Sequence, residues 1–110
     1  MINVLIVKKE DRILEISVDG HANYAKQGWD IVCAGVSAVV IGGINAIDEL
    51  DDKVVFDVSA NEDTTGYITY RSIKPTYEEQ LLLKSMVISL QSIEENYSKY
   101  ISIETREVKQ

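Results

Sequence analysis

Short alternating runs of apolar and polar residues open the chain and recur in its second half and at its end, with two longer runs of helical period between them. Residues Ile2–Lys8 and Arg12–Val18 read as strands joined at Lys9–Asp11. In the second, Arg12, Leu14, Ile16 and Val18 share one face, and Ile13, Glu15 and Ser17 the other; Arg12 and Ile13 are the imperfections. Two such runs with a short polar connection predict a hairpin. Asp19–Trp29 then reads as a polar, glycine-bearing loop. From Ile31 to Ile47 no residue is charged, and Asp30 to about Leu50 reads as a helix that is apolar all round, the mark of burial on several sides. Gly35, Ala38, Gly42 and Ala46 form a small-residue stripe along it, where another backbone can come close. The acidic run Asp48, Glu49, Asp51 and Asp52 ends the segment. It opposes the helix dipole and is expected to be solvated.

Val54–Val58 and Tyr67–Arg71 read as a second strand pair around the polar turn Ser59–Gly66, and Pro75 closes that section. Thr76 and Glu79 have capping-box spacing, with the threonine serving the helix amides and the glutamate reaching back. Leu82, Met86, Leu90, Ile93 and Tyr97 then repeat at spacings of four, four, three and four, an amphipathic helix with one face on the core. Tyr100–Glu107 reads as a last strand. The order ββαββαβ predicts a small single α/β domain over residues 1–110, its mixed or antiparallel sheet packed with two helices.

Composition narrows the function classes. The chain is 45% hydrophobic and 26% charged, an ordinary globular balance, and at 110 residues it builds a core without disulfides or metal. A net charge of −7 with no basic stripe argues against direct nucleic-acid binding. One cysteine and one histidine make a zinc site within one chain improbable and suggest a reducing, cytoplasmic setting. The opening MINVLIVKKE lacks a basic leader and a cleavage site, so no secretory signal is expected. The charge-free run has 17 residues and acidic flanks, whereas a membrane span needs about 20 predominantly apolar residues. A buried central helix is therefore expected, and no membrane contact.

The candidate chemistry lies in Gly20–Ser37, which reads GHANYAKQGWDIVCAGVS and holds the single histidine, His21, and the single cysteine, Cys33. Asp30 stands where an N-cap belongs. With Asp30 as cap, Cys33 is the third helical residue, in a first turn whose free amides and dipole favour negative charge. A thiol there is expected to ionise readily, and the thiolate is the nucleophile. His21 is the side chain able to exchange protons near neutral pH. Each residue also has a plainer reading. Cys33 can be a small buried hydrophobe, His21 a polar loop residue, and Ser37 a serine bonding its own helix backbone rather than orienting the thiol. Asp30 is a cap before it is an orienting group for His21. Tyr24 and Trp29 are core anchors or apolar walls for a peptide, and Gly28 is a potential hinge for a lid.

The segment GHANYAKQGWDIVCAGVS resembles the bacterial ribosomal-processing cysteine proteases, the Prp family. LLLKSMVISLQSIEENYSKYI is similar to that family's second helix and final strand, so the likeness covers most of the chain. The resemblance implies a small α/β fold, commonly a homodimer with a mobile loop over the site, and a cysteine endopeptidase that needs no metal or cofactor. It further implies Cys33 as nucleophile, His21 as catalytic histidine, and Gly20, Asp30 and Ser37 as the remaining motif positions. The implied partner is a precursor of large-subunit ribosomal protein number twenty-seven, whose N-terminal extension is removed. Gly35, where alanine is frequent, and the bulky Trp29 depart from the pattern without removing a catalytic group. Two other readings stay open from the residues: a non-catalytic ribosome-associated or assembly-binding protein, and a thiol redox sensor.

Overall fold

The computed structural model describes residues 1–20, 29–61 and 67–109, with the backbone alone at positions 29 and 30. The expected element order is found: strands β1 (Ile2–Lys9) and β2 (Arg12–Asp19), helix α1 (Trp29–Leu50), strands β3 (Val55–Asn61) and β4 (Tyr67–Lys74), helix α2 (Tyr77–Asn96) and strand β5 (Ile101–Glu107). The strands form one sheet in the order β3-β4-β2-β1-β5. The sheet is mixed, because β5 runs parallel to β1 while every other pairing is antiparallel.

The hairpin carries one residue more than a regular ladder. Val7 faces Glu15 but Lys8 faces Ile13, so Leu14 is the extra residue of a bulge. The bulge shifts the side-chain alternation by one position. Ile13, not Leu14, is therefore buried with Ile16 and Val18, and Arg12 is exposed. This corrects the expected face assignment, and the Ile13 imperfection was its trace. On the same side β1 contributes Ile2, Val4 and Ile6, and these join Tyr70, Ile101 and both helices in a single core.

Helix α1 meets that core through Val32, Val36, Val40, Ile44 and Ile47, one stripe at spacings of four and three. Its other side is open, with Ile31 62% and Ile41 51% exposed. Burial on several sides, as the apolar composition suggested, is thus not what the chain builds: α2 covers one flank only. Residues 31–50 are long and apolar enough to cross a membrane by length and composition, yet the sealed stripe is that of a core helix. The small-residue stripe divides accordingly. A Cβ on Gly35 would meet Ile93 Cδ1 of α2 at 3.7 Å, an ordinary contact that an alanine would also make. A Cβ on Gly43 would run into the Met86 terminal methyl, whereas one on Gly42 would meet nothing within 4 Å. Gly42→Ala is therefore expected to raise stability by about 0.5–1 kcal/mol through helix propensity. Gly43→Ala gains less, because Met86 must move inside a filled core; chemical denaturation of the two variants checks the order.

Helix α2 is rotated slightly from its expected setting. Leu83, Met86 and Leu90 are buried, Leu82 and Ile93 are half-buried, and Tyr97 is the C-cap at 38% exposure. Thr76 caps the N-terminus as expected, accepting a hydrogen bond from the Glu79 amide at 3.0 Å. The Glu79 side chain takes a different course from the expected capping box. It is fully buried and accepts from the Tyr70 hydroxyl at 2.6 Å and the Ser72 hydroxyl at 2.8 Å, tying α2 to β4. Burial, followed by the hydrogen bond and the charge of Glu79, pushes the Tyr70 hydroxyl far above the ordinary phenol range, so it remains a donor. Gln80 extends the tie to β2 by exchanging two hydrogen bonds with the Ile13 backbone, at 2.8 and 2.9 Å, beside the bulge.

Asp51 corrects the expectation that the whole acidic run is solvated. Its carboxylate accepts from the Thr76 hydroxyl and from the amides of Lys53 and Val54, joining the end of α1 to the start of α2. The Thr76 hydrogen bond holds the Asp51 carboxyl below the ordinary aspartate range; burial opposes this, and the two amides and the Lys53 charge reinforce it. A carboxyl lowered in the folded state stabilises the fold above its unfolded pKa and ceases to do so as pH falls through the folded one. The melting-temperature gap between the wild type and Asp51→Asn is therefore expected to be present at neutral pH and to close in strong acid. Melts across that range test the sign.

Candidate active site

The end of β2 and the beginning of α1 meet at the N-terminal end of β1. Gly20 makes this junction possible, because a Cβ there would lie 3.0 Å from the Ile2 Cα and 3.1 Å from its Cγ1. A larger residue would force the two backbones apart. The result is a small cleft of about 100 Å³ lined by Ile2, Val18, Asp19, Gly20, Cys33, Val36 and Ser37.

Cys33 is half-buried in this cleft. Helix α1 starts at Trp29, so Cys33 is its fifth residue rather than the third, and Asp30 is the second helical residue rather than the N-cap. The compositional edge at Asp30 marks where apolar composition begins, while the helix takes in two residues more, Trp29 and Asp30. A helical side chain leans toward the N-terminus of its helix. The Cys33 thiol therefore covers the preceding turn, where the positive end of the dipole lies. Ser37, one turn further on, is exposed and lines the same cleft, as helical spacing from Cys33 requires.

The structure thus brings together Gly20, Cys33 and Ser37. His21, Tyr24 and Gly28 lie outside the described residues, as do the side chains of Trp29 and Asp30, and so does the expected hinge and lid. His21 follows Gly20 directly in sequence, and Gly20 lines the cleft with Cys33. Four lining residues were not singled out in the sequence. Val18 and Val36 belong to the alternation of β2 and the core stripe of α1 and carried no chemical signal. Ile2 enters through the close approach at Gly20. Asp19 is placed by its register opposite Asn3, whose Nδ2 donates to its Oδ1 at 3.3 Å.

Larger hollows among the described residues lie elsewhere. One of about 700 Å³ is bounded by Met1, Gln91, Glu94, Glu95 and Ser102, and another of about 570 Å³ by Lys9, Arg12, Tyr77 and Lys84. Neither contains a thiol, and size alone does not make a site. The small cleft holds the single thiol of the sequence, in the opening turns of α1.

A mixed α/β sheet that carries a thiol near a helix N-terminus, in a cleft at a strand end, is an arrangement compatible with a small thiol-dependent enzyme. Comparison with known proteins specifies the class further. Residues 1–102 match the family described as Cysteine protease Prp. The ribosomal processing cysteine protease Prp of Staphylococcus aureus (strain Mu50) is 40% identical, over 90% of this chain and 92% of its own. The Bacillus subtilis (strain 168) protein of that name is 36% identical, over 96% and 97%. A crystal structure of the essential ribosomal processing protease Prp from S. aureus with a substrate peptide superposes with a TM-score of 0.88 at 36% identity, covering 96% of this chain and 100% of that one. A second, with a covalently linked product peptide, gives 0.82 over the same shares. The chain belongs to the Prp family, and it is a cysteine protease.

Proposed function

We propose that this protein removes the N-terminal extension from a precursor of large-subunit ribosomal protein number twenty-seven by a Cys–His mechanism. The observation that carries the reading is the Cys33 cleft, set in a fold that matches an S. aureus protease holding a covalently linked product peptide. Cys33 Sγ attacks the scissile carbonyl and forms a thioester as the C–N bond breaks. His21 takes the thiol proton and returns it to the leaving amine, then activates the water that hydrolyses the thioester and restores the thiol. The reading is supported by the position of His21, one residue beyond Gly20 of the cleft wall. Amides at the start of α1 are suited to the developing oxyanion. Ser37 contributes orientation or one hydrogen bond, worth about 1 kcal/mol when neutral, and Asp30 acts from the first helical turn. Ser37→Ala is therefore expected to lower kcat/KM by less than about tenfold, and His21→Ala by much more; equal losses would reassign Ser37.

The working form in this reading is a cytoplasmic homodimer. The exposed apolar side of α1, with Ile31, Ile41 and the unobstructed Gly42, supports an association of that kind. Incubating the purified protein with the extended precursor tests the substrate assignment. Cleavage yields two products whose masses sum to the precursor plus one water. A stable complex without cleavage would instead indicate a binding protein.

A further inference from the structure

The ladder between β1 and β2 ends on the rung Asn3–Asp19. Pairing of β2 with β4 stops one residue earlier, at Val18 and Ile68, so Asp19 is held by β1 alone. The last rung of a ladder opens more readily than the rungs inside it. Alternation sends the Asn3 and Asp19 side chains to the sheet face away from the helices, opposite the face on which Ile2 and Val18 join the core. There the Asn3 Nδ2 donates to the Asp19 Oδ1 at 3.3 Å and to the Met1 carbonyl at 3.5 Å. The start of β1 is itself anchored on its other edge, where the Ile2 amide donates to the Tyr100 carbonyl at 2.8 Å. Asn3 is thus a fixed post to which the end of β2 is tied. On the helix side, the same strand ends meet at the close approach of Gly20 to Ile2. Ile2, Val18 and Gly20 line the cleft with Cys33 and Val36, and His21 follows Gly20 in sequence.

We propose that Asn3 is a positioning residue for the protease reaction. By holding the Asp19 side chain on the far face of the sheet, it fixes the end of β2 and so the Gly20 wall of the cleft relative to Cys33. The proposal rests on Cys33 being the nucleophile in this cleft. Asn3 does not line the cleft and acts only through the strand end. Attack by a nucleophile depends on placement far more sharply than binding does. A loosened wall therefore lowers kcat and leaves KM nearly unchanged.

Steady-state kinetics on a cleavable peptide, with hydrogen exchange of the segment 16–20, test this. Asn3→Leu removes the donor and is expected to lower kcat about threefold, the worth of a cross-strand pair, and to speed exchange of the segment. Asn3→Asp sets two carboxylates on one rung and lowers kcat about tenfold. Asn3→Asp combined with Asp19→Asn exchanges donor and acceptor, and returns kcat to within about twofold of the wild type. Lys84→Met serves as the control, because it removes an exposed ion pair with Asp11 and is expected to leave kcat unchanged. Wild-type kcat in both Asn3→Leu and Asn3→Asp overturns the proposal. So does a double variant no faster than Asn3→Asp, a Lys84→Met variant as slow as Asn3→Leu, or unaltered exchange in Asn3→Leu. Wild-type enzyme that cleaves neither the peptide nor the extended precursor would instead contradict the proposed function. The exchange measurement needs no cleavage, so the two failures are distinguishable.

Discussion

Replacing Cys33 by alanine is expected to lower kcat/KM for a cleavable peptide by about ten-thousand-fold or more, because the residual rate without a nucleophile comes only from binding and oxyanion stabilisation. The fold should tolerate the change. Cys33 is half-buried at the edge of the core, beside a cleft that already admits solvent, and alanine has the higher helix propensity. A change in stability of about 1 kcal/mol or less is expected. Thermal melts alongside kinetics separate loss of chemistry from loss of structure. Full-rate cleavage by Cys33→Ala would remove the thiol from the mechanism.

The second large effect concerns stability, at the start of α2 rather than in the cleft. Glu79 is completely buried and holds the hydroxyls of Tyr70 and Ser72. Glu79→Ala leaves those two donors without their acceptor and opens a cavity among Tyr70 and Ser72. Unsatisfied buried groups cost about 1–3 kcal/mol each, so a loss of about 3 kcal/mol or more is expected, with a fall in Tm of about 10 °C or more. Glu79→Gln retains an oxygen for Tyr70, and its amide can donate to Ser72, whose hydroxyl rotates to accept. About 1 kcal/mol is expected there. Equal losses for the two variants would show that the hydrogen bonds contribute little and that packing dominates.

Most of the element order was legible because it follows from periodicity and caps. Thr76 announced α2, and the charge-free run announced α1. What was not legible depends on partners distant in sequence. The Thr76–Glu79 spacing is the same whether Glu79 reaches back to its own helix or across to Tyr70, and only the placement of β4 decides between them. Ile13 looked like a fault in an alternating strand because a bulge is invisible until the register with β1 is known. Asp51 sat in a run of four acids, and nothing local distinguished the one that Thr76 would hold. For α1 the sequence showed an apolar surface but not how many elements would cover it. At the site, Cys33 and Ser37 were readable as one helical face, whereas Asp19 and Ile2 reach the cleft through pairing and through the close approach that Gly20 permits.

The central claim is that Cys33 in this cleft is the nucleophile that acts on a bound peptide. The most direct measurement is inactivation by a substrate-derived peptide bearing a thiol-reactive group in place of the scissile bond, followed by intact-mass and fragment analysis. The account predicts one adduct per chain, carried by Cys33, with activity falling in proportion to the modified fraction and protection by excess substrate peptide. Fully modified Cys33 with undiminished cleavage, or loss of activity with the label on another residue, would contradict it.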